Sequence, residues 1–390
     1  MELAFWLLIA LVVYTYVGYG ILLFVIIKIR RALGINTIET DENFEPEVTL
    51  VVPCFNEEDF ILEKAKNSLE LDYPKEKLRI IFITDGSSDN TVDLLKTVDG
   101  IEVLHEDRRA GKSAAENRAM TFVKSPIVVF CDANTILNKE CIKELVKHYV
   151  NPKVGGVSGE KRVMIKESDN ASAAGEGIYW KYESNLKKWD YELYTIVGAA
   201  GELVSFRTEL MTDLEEDTIL DDFMQSLRIC KQGFRFAYEP NAYAMETSSE
   251  NVKEELKRKV RIAAGGWQSM NRLKSLLNPF KDFVLSFQYV SHRVLRWSIS
   301  ALALPVIFIL NILLFLNGPE VYSYILIAEI VFYALALLGW ILENRQIRVK
   351  ILFIPYYFLI MNYAVFAGFF RWLKGSQKST WERAKRAGKN

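Results

Sequence analysis

Val128-Val129-Phe130-Cys131-Asp132-Ala133-Asn134 is an apolar run that ends abruptly in an acid. In an open α/β sheet, ligands bind at the carboxyl ends of the strands, so an Asp in that position can face a ligand instead of the core. A carboxylate followed two residues later by an amide oxygen suits a hard divalent cation, which keeps waters and takes phosphate oxygens as its other ligands. An Asp-Asn turn closing a strand is the plainer alternative, and on these seven residues alone it is favoured. The surrounding chain changes that balance.

Upstream, strand and helix patterns alternate. Val48 to Pro53 is a short β-branched run, and Phe60 to Leu71 carries helical spacing with Leu62, Ala65 and Leu69 on one stripe. Leu78 to Ile83 reads as a second strand, Thr91 to Val98 as a helix, and Ile101 to Leu104 as a third strand. Lys112 to Val123 is helical, and Ile127 to Cys131 is the fourth strand. This alternation predicts an α/β fold, a doubly wound and mostly parallel sheet covered on both faces. Downstream the pattern is less regular. Val154 to Met164, Leu203 to Phe206 and Arg235 to Tyr238 are strand-like, while Ala171 to Trp189, Asp221 to Cys230 and the basic stretch Asn251 to Leu273 are helical.

Polar clusters follow three of the strands: Pro53-Cys54-Phe55-Asn56-Glu57-Glu58, Asp85-Gly86-Ser87-Ser88-Asp89 and Asp132-Ala133-Asn134. A fourth, Gly111-Lys112-Ser113, opens a helix whose amino terminus and Lys can meet phosphate. Each is weak alone, but strand carboxyl ends share one rim, so together they predict one crevice.

The ends of the chain are greasy. Ala4 to Ile27 is almost uninterrupted apolar sequence, long enough to span a bilayer, with Lys28, Arg30 and Arg31 after it. That charge pattern predicts an uncleaved anchor with the following domain on the cytoplasmic side. Residues 298–316, 322–342 and 351–370 are further candidate spans, and Phe280 to Trp297 has the composition of an interfacial helix. Three spans put the carboxyl tail outside, yet Lys374, Lys378, Arg383, Lys385, Arg386 and Lys389 prefer the inside. Either one segment (351–370, with Pro355) does not span, or the rule is broken. The expected organisation is an anchor at 1–33, a catalytic domain at 34–275, an interfacial segment at 276–297, a membrane region at 298–372 and a basic tail at 373–390. With 48 Lys and Arg against 49 Asp and Glu, the net charge of −1 gives no pull towards nucleic acid. Mean hydropathy is +0.07. The four cysteines have no metal-ligand spacing and predict a reduced compartment.

These motifs resemble the membrane-embedded glycosyltransferases of family 2, the group that holds cellulose, chitin and hyaluronan synthases and many exopolysaccharide enzymes. The resemblance covers residue 45 to about residue 270, and implies a GT-A-like nucleotide-sugar domain flanked by transmembrane helices. It assigns Pro53, Asn56, Glu57, Asp85, Lys112, Asp132 and Arg261 to the nucleotide-sugar, with Asp85 expected on the uracil of a UDP-sugar. The family's Asp-x-Asp metal motif stands here as Asp132 and Asn134, so one of the two ligands to Mg²⁺ or Mn²⁺ is a neutral amide. Asp221-Asp222, with Arg228 beyond, is similar to the family's acidic pair, which makes Asp222 the general base; by chemistry alone the two acids read as a helix amino terminus. Gly198, Gly201, Glu202 and Asp221 fall on the acceptor side. In the processive members' Gln-x-x-Arg-Trp motif this chain keeps only Arg261, with Arg258 and Ile262 at the other two positions; Trp267 is the nearest aromatic. Tyr179, Trp180, Tyr182 and Trp189 read as core before they read as a sugar platform.

The resemblance implies an inverting transfer from a UDP-sugar to a carbohydrate or lipid-linked acceptor in prokaryotic envelope polysaccharide synthesis. A processive synthase, which could build its channel from so few spans as a homo-oligomer, is one alternative. A catalytically silent nucleotide-sugar-binding subunit and a transferase onto a lipid phosphate are others. Membrane lipid is the remaining expected partner.

Overall fold

The computed structural model describes residues 1–35, 38–164, 172–247, 252–345 and 349–377. In chain order the elements are α1 (Glu2–Val13), α2 (Tyr19–Ala32), β1 (Val48–Cys54), α3 (Ile61–Leu69), β2 (Leu78–Asp85), α4 (Thr91–Lys96) and β3 (Glu102–Glu106). Then come α5 (Lys112–Met120), β4 (Ile127–Cys131), β5 (Thr135–Leu137), α6 (Cys141–Val146), β6 (Val154–Met164), α7 (Ser172–Leu193), β7 (Leu203–Arg207), α8 (Asp221–Lys231) and β8 (Arg235–Thr247). The rest is helical: α9 (Val252–Arg272), α10 (Phe283–Tyr289), α11 (Leu295–Trp297), α12 (Ile299–Asn317), α13 (Val321–Asn344) and α14 (Lys350–Leu373).

By its contacts the chain divides into two compact units. The first, made of Ile29–Met164 and Lys187–Glu250, holds an eight-stranded sheet of order β3-β2-β1-β4-β7-β6-β8-β5. The β-branched runs of β1, β2 and β4 are buried almost throughout, as expected of parallel strands covered on both faces. β1 pairs parallel with β2 and β4, and β2 with β3. β7 enters antiparallel to β4, with Cys131 opposite Leu203. That reversal matters for the site, because it sets the residues entering β7 beside those leaving β4. β6 is antiparallel to β7 and parallel to β8, and β5 closes the edge antiparallel to β8.

The structure extends the sequence reading at β8. Periodicity indicates a strand only to Tyr238, because Pro240 interrupts it. The strand runs on to Thr247, and the register with β6 shifts between Gly159 and Glu160, skipping the proline. A bulge is where a sheet tolerates a residue with no N–H to donate. The three-residue β5 and the short α6 are too brief to leave a periodic signal.

The second unit, made of Met1–Lys28, Ile165–Leu186 and Asn251–Gln377, holds the apolar helices. Among the described residues, four helices are long and apolar enough to cross a membrane: Glu2–Ala32, Ile299–Asn317, Val321–Asn344 and Ile351–Leu373. The last is one of them despite Pro355, so three C-terminal helices meet the length requirement; the end of the tail, 378–390, lies outside the described residues. Phe5, Ala303, Ile307, Leu314 and Tyr322 form an apolar cluster. Side-chain hydrogen bonds tie the helices where water is scarce: Thr15 to Ser300 at 2.7 Å and Tyr16 to Asn362 at 2.8 Å. Gly368 on α14 lets that helix close on α9, since a Cβ there would lie 2.5 Å from the Ala263 Cβ. Glu183 is buried between Arg296 (2.8 Å), Arg293 (3.0 Å) and His292 (3.2 Å). Tyr182 donates to the Tyr16 carbonyl at 3.0 Å. It therefore packs the helices together, as the helical spacing of the aromatics predicts. Tyr179 and Trp180 fall where no side chain is described.

Candidate active site

The polar clusters of the first unit meet at the carboxyl end of the sheet. Pro53 is the penultimate residue of β1. Beyond it, Asn56 sits at φ 52°, a left-handed conformation that Asn adopts more readily than most residues. Its side chain accepts from the Ser88 N–H at 2.8 Å. The Glu57 N–H donates to the Thr91 hydroxyl at 2.8 Å, and the Glu57 side chain is buried. The loops after β1 and β2 are thus laced into one wall. Asp85, buried at the end of β2, accepts from the N–H groups of Ala110 (2.9 Å) and Gly111 (2.7 Å). It anchors the loop that leads into α5. A carboxylate has about four lone-pair sites, so this anchoring leaves capacity for a ligand.

Asp132 follows β4 in a turn held from below. Its carbonyl accepts from the Thr135 hydroxyl at 2.8 Å. The fully buried Lys64 of α3 in turn donates to the Thr135 carbonyl at 2.9 Å. Periodicity alone places Lys64 on a helix surface, and nothing in the sequence marks it as a support for this turn.

Lys112, the first residue of α5, is the centre of the site. Its Nζ donates to Asp132 at 2.9 Å and lies 3.4 Å from Asp221 and 3.7 Å from Glu116. Asp221 and Asp222 begin α8, where free N–H groups favour acids. The Asp222 carboxylate accepts its neighbour Phe223's N–H at 2.8 Å. Gly201, entering β7, passes so close that a Cβ there would lie 3.1 Å from Asp222 Oδ2 and 3.4 Å from Lys112 Nζ. Glu202 beside it pairs with the buried Lys161 at 2.5 Å. Burial works against charge on Lys112, but Asp132, Asp221, Glu116 and Asp222 outweigh it and hold the ammonium well above its usual range. Burial pushes the Asp222 carboxyl up to about 7, with the negative charge of Asp221 adding to the effect and Lys112 opposing it. Lys112, Gly201, Asp221 and Asp222 border a cleft that extends to Phe130, Phe206 and Leu214.

Among the described residues no group of three His, Cys, Asp or Glu can hold a metal ion. The Asn134 amide oxygen, however, is buried and has no hydrogen-bond partner, a state that costs free energy unless a ligand relieves it. Asp132 and Asn134 fit the sparse protein share of a divalent-cation site whose other ligands are phosphate oxygens and water.

Gly198 has a packing reason. It sits at φ 88°, and a Cβ there would lie 2.2 Å from the ring of the buried Phe223, next to Asp222. Gly198→Ala is expected to destabilise the fold by about 2 kcal/mol or more, from left-handed strain and overpacking, visible as a lower thermal midpoint in detergent.

Asp132, Lys112, Asp221, Asp222, Gly201 and Glu202 are brought together. Arg228 is directed elsewhere, to Glu215 at 2.5 Å and to the Asp213 carbonyl. Arg261 and Trp267 lie on α9 in the second unit, where Trp267 stacks on Trp372 (16° between planes) and packs on Phe369 of α14. Trp189 is half-buried. Two contributors carry no motif signal. Glu116 is visible only as the residue four after Lys112 on a helix. Asn117 clamps the Leu214 backbone through both its amide groups (2.9 and 3.1 Å).

A mostly parallel sheet with acids at the end of β4 and the start of α8 is a GT-A-like arrangement. A solved mannosyltransferase from Pyrobaculum calidifontis, in complex with GDP-Man and Mn²⁺, shares the fold with a TM-score of 0.72 and 22% identity, over 95% of this chain and 99% of that one. Residues 49–214 match the family model of glycosyl transferase family 2. The poly-beta-1,6-N-acetyl-D-glucosamine synthase of Staphylococcus aureus (strain MSSA476) is 30% identical over 237 residues, 58% of this chain and 56% of that protein. The synthase of the same name from Staphylococcus epidermidis is 25% identical over 235 residues, with the same coverage. The chain therefore spans about half the length of the curated relatives it matches. This likeness and the four apolar helices make it a membrane protein.

Proposed function

We propose that this chain is a membrane-bound, inverting glycosyltransferase that moves a sugar from a UDP-sugar to a carbohydrate or lipid-linked acceptor in envelope polysaccharide synthesis. The observation that carries it is the convergence of Asp132, Asp221 and Asp222 on Lys112 at the carboxyl end of the sheet. Acids and a lysine so arranged serve a reaction in which a hydroxyl loses a proton while a diphosphate gains charge.

Each residue then has a task. Asp222 takes the proton of the acceptor hydroxyl as its oxygen attacks the anomeric carbon, and the nucleoside diphosphate leaves from the opposite face, which inverts that centre. Lys112 places a positive charge on the diphosphate side of the cleft. Asp132 and Asn134 would hold Mg²⁺ or Mn²⁺, which when bound neutralises charge on the leaving group. Gly201 lets the acceptor approach Asp222 without side-chain obstruction. Asp85 and the Asn56–Glu57 wall are assigned to the nucleoside, and Arg261 to the diphosphate. The catalytic region, 34–275, is assigned to the cytoplasmic side, with 1–33 as anchor, 276–297 at the interface and 298–372 in the membrane.

A base with a midpoint about 7 fixes the pH dependence. Asp222 acts ionised, and burial and Asp221 favour its neutral form. The rate is therefore expected to rise with pH through about 7 and level off above it. The same shift works against stability: a carboxyl raised above its unfolded value stabilises the fold below that value and loses the contribution as pH rises through about 7. Asp222→Asn is thus expected to raise the thermal midpoint above pH 7 while lowering activity.

The donor is tested by presenting purified protein with UDP- and GDP-sugars, a membrane lipid extract as acceptor source, and Mg²⁺ or Mn²⁺. Release of UDP from one donor, abolished by chelator, is the expected result. Release of GDP alone would move the nucleotide assignment to guanosine, and no release from any donor would favour a silent subunit.

A further inference from the structure

The far half of the sheet carries a second charged cluster on the rim that holds Asp132. β7 runs antiparallel to β4 and starts opposite Cys131. β6 is antiparallel to β7 and parallel to β8, so β6 and β8 end at the rim where β7 begins. Near the end of β6, Lys161 donates to Glu202, the residue before β7, at 2.5 Å and pairs with Glu246 of β8. The side chains of Lys161, Glu246 and Glu202 are only 4%, 11% and 17% exposed. This is therefore a buried cluster, in which a lost partner strands a charge, and not a screened surface pair. The pairing irregularity at Pro240 builds it. β8 advances four residues, Glu239 to Tyr243, while β6 advances one, Gly159 to Glu160. The excess is odd, so it switches which β8 residues share a face with Lys161. Val163 then pairs with Glu246, and Lys161, two residues before Val163, has Glu246 on its own face. Glu202 in turn follows Gly201, where a Cβ would lie 3.1 Å from Asp222 Oδ2.

We propose that Lys161 is a positioning residue for the transfer: it bolts the entry of β7 to the ends of β6 and β8, and so holds Gly201 at the distance from Asp222 that an acceptor hydroxyl needs. This rests on the transferase function given above. With the ammonium in place, Glu202 and Glu246 are both drawn to one point. Without it they are like charges on one buried rim and move apart, and Glu202 carries Gly201 with it. Lys161 acts on the acceptor side of Asp222 and leaves the Asp132 turn, which Lys64 supports through Thr135, as it is.

Two substitutions test this in the full chain, in detergent, with a membrane lipid extract as acceptor source. Lys161→Met breaks the bridge from one end. Glu202→Met breaks it from the other and leaves Lys161 paired with Glu246, so it carries the test alone should Lys161→Met not fold. Each is expected to lower kcat about a hundredfold, the scale of a small misplacement at the reacting centre, with the donor KM within about twofold of the native value. The double variant is expected to be within about threefold of the slower single variant, because both changes remove one contact. Native turnover in Lys161→Met, a loss that falls on the donor KM, or losses that multiply in the double variant overturn the proposal. Thermal unfolding reads the bridge without turnover: the double variant is expected to have the midpoint of the less stable single variant, and full additivity overturns the bridge itself. A native protein that transfers no sugar but shows that shared loss of midpoint overturns the transferase function, and the positioning role with it, while the bridge stands.

Discussion

Asp222→Asn is expected to lower sugar transfer by roughly a thousandfold while leaving donor affinity nearly unchanged, the scale of a lost general base. A sugar hydroxyl is a poor nucleophile until its proton is withdrawn, and among the groups around the cleft Asp222 is the one poised for this. It stands at the start of α8 with Gly201 passing close by, so no side chain comes between the backbone there and its Oδ2. Its proton affinity is raised to about 7 by burial and by Asp221, which matches a base that must both accept and release a proton near neutrality. The amide keeps the shape and can still accept the Phe223 N–H, so a large loss would report the lost base and not a disrupted helix. Asp221 cannot substitute, because it is held against Lys112 at 3.4 Å.

Asp132→Ala is expected to cost about a hundredfold to a thousandfold in turnover, the scale of losing one preorganised charge contact to the transition state, and to weaken donor binding as well. Asp132 anchors Lys112 at 2.9 Å and shares its turn with the partnerless Asn134 oxygen. Its removal both strips the cation site of its one carboxylate and frees Lys112 to swing towards Asp221. The second effect separates this variant from a simple ligand loss: adding more metal should not restore the rate. Thermal unfolding with Mn²⁺ and UDP is the check. The native protein should be stabilised by the pair, as any ligand that binds only the folded state stabilises it, and Asp132→Ala should not.

What the sequence reveals of this site, and what it hides, follows from how far each interaction reaches along the chain. β1, β2 and β4 are legible because buried parallel strands read as continuous β-branched runs. Asp85 and Asp132 are legible because each sits where such a run stops, and Lys112 because it follows a glycine at a helix start. β8 beyond Pro240 is hidden, since β8 bulges past the proline in its pairing with β6, and periodicity on one strand does not report its partner. Glu116 is hidden for a related reason. On α5 alone it is an ordinary helical acid, and it becomes part of the site only when α8 brings Asp221 to the same Lys112 ammonium. Lys64 looks like a surface lysine until the fold buries it under the Asp132 turn. Gly198 is legible as a required small residue, but the Phe223 ring that requires it comes from another element.

The most direct measurement is transfer of labelled sugar from the donor into lipid-extractable or polymeric product, native protein beside Asp222→Asn, at matched donor occupancy. The expected result is product from the native protein and roughly a thousandfold less from the variant. Equal rates would contradict the assignment of Asp222 as base, and would point instead to an acceptor that attacks through an already ionised phosphate oxygen and needs no base at all.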